Sequence, residues 1–542
     1  QAQTGSRYLD GLAGAEMFEQ LMDNAVQTKE DLSLSVGVSL SKDQVNRLTR
    51  SMIWMETRIV DGEKVLVPVV YLSSNRELKA EDGALIAGKN VAILGNSDVV
   101  NTGVIEALDT LSVSSVEGSV INRQGKLIAG NMLQIDAAKN IENLSGRIEG
   151  KTLSLNAGDS IINETFIENV GSIKELAFSR QGARSNLSAG QTLELSAGKN
   201  ITDRAGAMTA GDALTLEAGD DIRIESQEQV TGYHFGGGSH FQTLDRRDHL
   251  TSELQSGGYL TVVSGGNILL EGASVNAAEN MAVSAAGDIN LLAVANTREE
   301  SFSYSRKGSY GSSDKSTASE SSSVTHQGTS LLSAGDLSMS SGQNLLAYGS
   351  TLQAEGNVNI RATDNIKLVA ALAQERYASQ ETQENAVKYS NESQGYHQES
   401  VVASSIESGA DLSLTTEGNV YILGSSLQAE GDMSMGGNTL SKASQASIAV
   451  TGGGADKVIV DTVALTNEQW HEKSEGFKGP VKELIKVASV GFATMMGGVI
   501  DAPAMEVASS EALRTQQTTQ SGSQLQAQNL SIQSDGITRL AG

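Results

Sequence analysis

Along most of this chain, apolar residues alternate with polar ones over runs of four to six positions, and each run ends at a small residue followed by glycine. In Lys151-Thr152-Leu153-Ser154-Leu155-Asn156-Ala157-Gly158-Asp159-Ser160-Ile161 the two leucines alternate with Thr152, Ser154 and Asn156. A period of two places the leucines on one face of a strand and the polar residues on the other. Gly158 accepts a positive φ angle and Asp159 bonds local backbone, so the chain turns a corner there. The phrase returns as Ala87-Gly88-Lys89-Asn90-Val91, Ala197-Gly198-Lys199-Asn200-Ile201, Ala218-Gly219-Asp220-Asp221-Ile222 and Glu417-Gly418-Asn419-Val420. A helical repeat would need apolar spacings of three and four instead.

The copies are regularly spaced. Asn200 to Asp221, Gly335 to Gly356 and Asn344 to Asn365 are each 21 residues, and Asn101, Asn122 and Asn143 follow the same interval. A fixed period near twenty residues marks a solenoid, whose repeats bury a core only against their neighbours. Strands this short, stacked coil on coil, pair in parallel and enclose the Leu, Ile and Val rows. The pattern predicts an all-β fold: a parallel β-helix, right-handed expected, with about 20–21 residues per coil. Asn101, Asn122 and Asn143 are expected to form an amide ladder.

Residues 1–78 lie outside the repeat and read as a mixed α/β cap over the first coil. Helices are expected over Gly11–Gln27 and Ser41–Met52, then strands Ile53–Val60 and Val65–Leu72 joined by Asp61-Gly62, a strong hairpin signal. Residues 79–224 read as regular coils. Over 225–442 three polar segments, about 225–252, 296–328 and 376–405, interrupt them. These segments gather Tyr233, Phe235, Phe241, Phe302, Tyr304, Tyr310, Tyr377, Tyr389 and Tyr396, and the alternation in Ser301-Phe302-Ser303-Tyr304-Ser305 predicts hairpins projecting from one side of the tube. They are candidate contacts for a partner or a membrane surface.

Residues 443–521 read as a long insertion, and 522–542 as a final coil. The insertion contains an uncharged stretch whose candidate membrane-interacting residues are Val487, Val490, Phe492, Met495, Met496, Val499 and Ile500. Fourteen residues, 487–500, are short for a helical span, while a transmembrane strand needs about 9–11. A helix packed on the flank of the tube is the other reading. Gly452-Gly453-Gly454-Ala455-Asp456 is one copy of a pattern that binds calcium only in arrays, so no calcium site is assigned.

Composition narrows the function. The 542 residues include 57 Gly, 3 Pro and no Cys, with 4% aromatics, which suits a narrow core of identical layers and removes thiol chemistry. A net charge of −26 argues against nucleic-acid binding. No signal peptide is visible at Gln1 and no run of about 20 apolar residues exists, so an exported protein would contain this chain as a piece. Paired acids such as Asp220-Asp221 lie at repeat corners, where turn chemistry explains them, and His234, His240 and His249 lack a carboxylate pattern for a metal. No catalytic residue, metal, cofactor or small-molecule substrate is assigned, and the chain reads as non-enzymatic.

Several phrases carry a resemblance: Arg7-Tyr8-Leu9-Asp10-Gly11, Leu21-Met22-Asp23-Asn24, Gly37-Val38-Ser39-Leu40-Ser41-Lys42-Asp43-Gln44-Val45, Ile53-Trp54, Val65-Leu66-Val67-Pro68-Val69-Val70-Tyr71 and Gly83-Ala84-Leu85-Ile86-Ala87-Gly88. Together they resemble the start of the second filamentous-haemagglutinin repeat region of contact-dependent growth inhibition exoproteins. The resemblance implies a secreted or cell-surface module exported through a cognate outer-membrane transporter. It also implies deployment onto the target cell's outer membrane, or a protein in it, to help pass a C-terminal toxin. A passive adhesin binding a surface ligand is the alternative.

Overall fold

In the computed structural model the described residues are 52–60, 63–71, 85–309, 313–385, 388–436, 457–477, 508–534 and 537–541, together with ten residues between Leu21 and Gln44. The chain divides into two compact units, residues 1–88 with 101–106, and residues 89–100 with 107–542.

In the first unit, Met52–Val60 and Glu63–Tyr71 pair antiparallel, with Val60 opposite Glu63 across the expected two-residue connection. Leu21, Asn24, Ala25, Thr28, Lys29 and Gln44 are helical; the rest of both expected helices, apart from Met52, lies outside the described residues. Met52 is a correction: it opens the first strand, opposite Tyr71, because its side chain is needed in the small core with Ala25 and Trp54. Trp54 Nε1 donates to the Val38 carbonyl at 3.0 Å, and Ser39 Oγ donates to the buried Glu56 carboxylate at 2.8 Å. Asn101 also belongs to this unit, where its Oδ1 accepts from the Gly103 amide at 3.1 Å.

The second unit is a parallel β-helix. Each full coil contributes one strand to a 13-stranded sheet and two to a 24-stranded sheet. The 21-residue period is the coil: Leu193 pairs with Leu214, Ile201 with Ile222, and Leu331 with Leu352. One core column runs Leu111, Leu133, Leu153, Leu193, Leu214, Leu260, Met281, Leu337, Val358, Leu412 and Met433, all buried. Each member packs on its own counterpart, so every layer repeats the same close-packed arrangement.

An amide ladder runs through two of the three expected asparagines, Asn122 and Asn143, and extends beyond them to Asn163 and Asp203, while the Asn101 side chain bonds the Gly103 backbone. Asn122 Nδ2 donates to Asn143 Oδ1 at 2.8 Å, Asn143 Nδ2 to Asn163 Oδ1 at 2.8 Å, and Asn163 Nδ2 to Asp203 Oδ1 at 2.5 Å. All four side chains are buried, and the ladder satisfies amides that burial would otherwise penalise.

Five hairpins leave this unit at one corner. The first comprises Ile167–Ser172 and Leu176–Gln181, the second Gln227–Gly237 and His240–Leu250, and the third Val294–Arg306 and Asp314–Gln327. The fourth comprises Ala371–Glu384 and Lys388–Val402, and the fifth Val463–Phe477 and Ala508–Ser521. Their ten strands form one continuous antiparallel sheet in chain order. The three expected hairpins are the second to fourth. The first hairpin falls inside 79–224, which reads from sequence as regular coils; its strands, at six residues, are no longer than those of the coils. Within 443–521, Lys457–Asp461 pairs with Asn419–Leu423 in the 13-stranded sheet, so this stretch includes a coil strand because Val458 and Val460 fill core positions.

Candidate interaction surface

The hairpins are phased to the tube. Each follows one strand of the 13-stranded sheet: Ile161–Glu164, Ile222–Glu225, Ile289–Leu292, Ile366–Val369 and Lys457–Asp461. Between them lie the plain strands Ile201–Arg204, Ile268–Glu271, Leu345–Tyr348 and Asn419–Leu423, so a hairpin leaves at every second coil. Neighbouring strands lie about 4.8 Å apart, so two coils advance the tube by about 9.6 Å, the width that two hairpin strands require. The matching intervals let successive hairpins pair edge to edge with no strand missing and none crowded.

At plain coils the corner is turned in the left-handed region, by Ala205, Gly272, Gly349 and Gly424 at φ 52–61°. At Gly272, Gly349 and Gly424 a Cβ would press on Val294, Ala371 and Val463, each the first residue of the next hairpin. Glycine there is required by the hairpin root as well as by φ. Where a hairpin returns, a hydroxyl fastens its base. Ser252 Oγ lies 2.8 Å from the Glu225 carbonyl, Thr329 Oγ1 2.9 Å from that of Leu292, Ser404 Oγ 2.8 Å from that of Val369, and Ser523 Oγ 2.6 Å from that of Asp461. Arg184 ties the first two hairpins, donating from Nη2 to the Thr251 carbonyl at 2.6 Å and pairing through Nη1 with Glu253 at 2.7 Å.

Asp203 ends the amide ladder beside these roots. Burial pushes its carboxyl up to about 6, against the opposing effects of hydrogen bonds from Ser252, Asn163 and the Gly206 amide and of the Arg184 charge. Burial penalises its charged form although donors surround it.

Cross-strand partners share a face, so the register sorts the candidate contacts. Tyr233, Leu244, Glu300, Ser321, Tyr377, Tyr396 and Gln469 form a single row over seven strands, continued by Leu176 on one side and Thr515 on the other. Phe235 and Phe302 lie in the next row on that face, both opposite Gln242, and Tyr304 lies two residues beyond Phe302. Phe241 lies on the other face, where its ring stacks on His234 at 5.9 Å. Tyr389, at 7% exposure, is withdrawn from the surface. Tyr310 and the candidate membrane residues Val487, Val490, Phe492, Met495, Met496, Val499 and Ile500 lie outside the described residues.

The histidines serve separate contacts. His240 meets Tyr304 edge-on at 5.0 Å, His249 Nδ1 lies 3.2 Å from Asn296 Oδ1, and His471 Nε2 lies 3.0 Å from Glu392. Burial lowers the pKa of His326, which packs against Tyr348. Among the described residues no group of His, Asp and Glu could hold a metal ion. Two shallow grooves are present: one of about 200 Å³ between Arg298, Glu375, Tyr377 and Tyr396 on the hairpin sheet, and one of about 410 Å³ lined by Lys367, Val369, Tyr421 and Leu423 on the tube.

The sequence signal that reasoning passed over is the residue at each return. Ser252, Thr329, Ser404 and Ser523 each stand two positions before an apolar core residue, Leu254, Leu331, Ile406 and Leu525. Ser350 and Ser425 hold the same position at plain coils, ahead of Leu352 and Leu427, so the hydroxyl marks the coil corner in general and not the hairpin root alone.

Comparison with known proteins gives the phasing a second footing. The haemagglutinin repeat family matches residues 174–234, 233–316 and 308–388. Each match runs from at or near the turn of one hairpin to at or near the turn of the next, and so spans two coils of this chain with the two hairpin arms that flank them. The chain is 28% identical over 295 residues to the tRNA nuclease CdiA of Yersinia mollaretii, covering 54% of this chain and 8% of that protein. It is 36% identical over 163 residues to the 16S rRNA endonuclease CdiA of Enterobacter cloacae, covering 30% of this chain and 5% of that protein. To the tRNA nuclease CdiA-2 of Burkholderia pseudomallei it is 27% identical over 378 residues, 68% of this chain and 12% of that protein. No solved structure matches. This chain carries haemagglutinin repeats and is homologous over much of its length to the CdiA exoproteins.

Proposed function

We infer that this chain is a non-enzymatic structural and delivery module of a secreted bacterial exoprotein. On this reading it is deployed onto the outer membrane of a target cell, where it helps pass a C-terminal toxin during contact-dependent growth inhibition. The full-length protein would use a cognate outer-membrane transporter for its own export, and the partner at the target is the outer membrane or a protein in it. The observation that carries the reading is the phased hairpin sheet, a large appendage that a passive spacer would not need, on a chain homologous to toxin-named exoproteins. The nuclease names belong to proteins of which the chain spans 5–12%, and the matched repeat is structural.

The test uses the purified chain, outer-membrane vesicles from a susceptible bacterium, and a deletion of residues 477–505. Protection of that segment from protease on adding vesicles, absent in the deletion, supports delivery. Unchanged cleavage in a chain that still sediments with the vesicles supports the alternative, a passive adhesin using the exposed aromatic hairpins.

A further inference from the structure

The exposed large apolar side chains of the hairpin sheet concentrate near its turns, and most of them form one patch over the first three hairpins. Leu176 is 54% exposed, Phe235 59%, Phe302 42% and Tyr304 40%. Leu176 pairs with Tyr233, Tyr233 stacks on Phe235 at 4.9 Å, and Phe235 and Phe302 flank Gln242, so all lie on one face. Leu176 borders the first turn, Phe235 stands three residues before the second at Gly238, and Tyr304 two residues before the end of its strand at Arg306. At Gly237 and Gly238 an added Cβ would meet nothing within 4 Å, so this tip is unpacked.

The protein carries −26, yet cations stand at these turns: Arg306 and Lys307 are exposed at the third, near Asp314, whose Oδ1 accepts from the Gly308 amide, and Lys174 is exposed at the first, beside Glu175. Neither groove is lined by any of the five patch side chains Leu176, Tyr233, Phe235, Phe302 and Tyr304. A patch spread across three separate turns fits a broad flat partner better than a small ligand.

We propose that this patch is the surface by which the module engages the interfacial zone of an anionic lipid bilayer, with the tyrosine rings at headgroup depth and the turn cations against the lipid charge. Tyr rings favour that zone, Phe and Leu side chains favour the acyl boundary just beneath it, and cations are attracted to an anionic surface. The inference rests on the reading of the chain as a module deployed at an outer membrane, and it specifies which residues touch lipid.

The chain has no cysteine, so one introduced thiol can carry an environment-sensitive fluorophore without competition. Labels at Phe235→Cys and Phe302→Cys, with Thr415→Cys on the tube as control, are mixed with protein-free vesicles of phosphatidylethanolamine and phosphatidylglycerol at 3:1. The expected result is a several-fold brightening at 235 and 302, quenching there by a lipid-borne quencher, and no change at 415. Phe235→Ser with Phe302→Ser, shown by an unchanged melting curve to be folded, is expected to lower vesicle sedimentation about tenfold.

Sedimentation without any change at 235 or 302 would overturn the patch and leave the delivery reading standing. Brightening only on whole outer-membrane vesicles would assign the patch to a protein or glycan and overturn the lipid. Failure to sediment with either kind of vesicle would remove both this inference and the functional reading beneath it.

Discussion

Gly349 turns its corner at φ 56° against Ala371, the first residue of the fourth hairpin, and a Cβ at Gly349 would collide with the Ala371 methyl. The contact shows how a plain coil makes room for the hairpin that follows it.

Gly349→Ala is therefore expected to destabilise by at least about 1–2 kcal/mol from the left-handed backbone alone. Ala205→Gly, at φ 52°, should stay within about 1 kcal/mol of neutral, since backbone relief offsets a lost buried methyl. Urea unfolding of both variants checks the asymmetry, and equal effects would count against the root packing.

Ser404 fastens the fourth hairpin through a hydroxyl shared between the carbonyls of Val369 at 2.8 Å and Ala347 at 3.0 Å. Ser404→Ala removes that shared donor, while the Val369 carbonyl keeps the Gly349 amide at 2.9 Å, and should cost about 0.5–1.5 kcal/mol. Hydrogen exchange should show the loss concentrated at the root strands around Ala371 and Val402; an even loss over the tube would contradict the assignment.

Asp203 gives the tube a pH dependence of fixed sign. Its folded pKa of about 6 stands above the ordinary carboxyl value of 3.8, so the contribution is fully present below about pH 4 and lost as pH rises through about 6. The window corresponds to about 3 kcal/mol. Asp203→Asn should remove that slope and stabilise the chain at pH 7.5 relative to the parent, with the gain shrinking toward pH 4. A stability difference between the two proteins that does not vary with pH would refute it.

Much of the tube was legible from sequence because its period is local. Leu193 and Leu214 repeat one environment 21 residues apart, and the Asn122–Asn143 ladder follows the same count. The second to fourth hairpins stood out because their composition departs from the coils. The first did not, since its six-residue strands are as short as those of the coils around it. Assembly of all ten strands into one sheet was hidden for another reason: Phe241 pairs with Ser303 and Ser316 with Thr382, some 60 residues apart, between polar strands that signal no preferred partner. That information resides in the coil count between hairpins. The aromatic residues were identifiable singly, but which shared a face followed only from the register.

The central structural claim is that one hairpin per two coils holds the sheet together. Deleting residues 330–350 removes one plain coil, since Ser330 pairs with Thr351, and brings the third and fourth hairpins onto successive coils. Deleting 330–404 removes two coils with their hairpin, since Thr351 pairs with Ser405, and keeps the phase. The measurement is amide hydrogen exchange over 294–327 and 463–477 in both variants. The account predicts loss of protection in the hairpin strands of the shorter deletion and retention in the longer one. Equal protection in the two would contradict it.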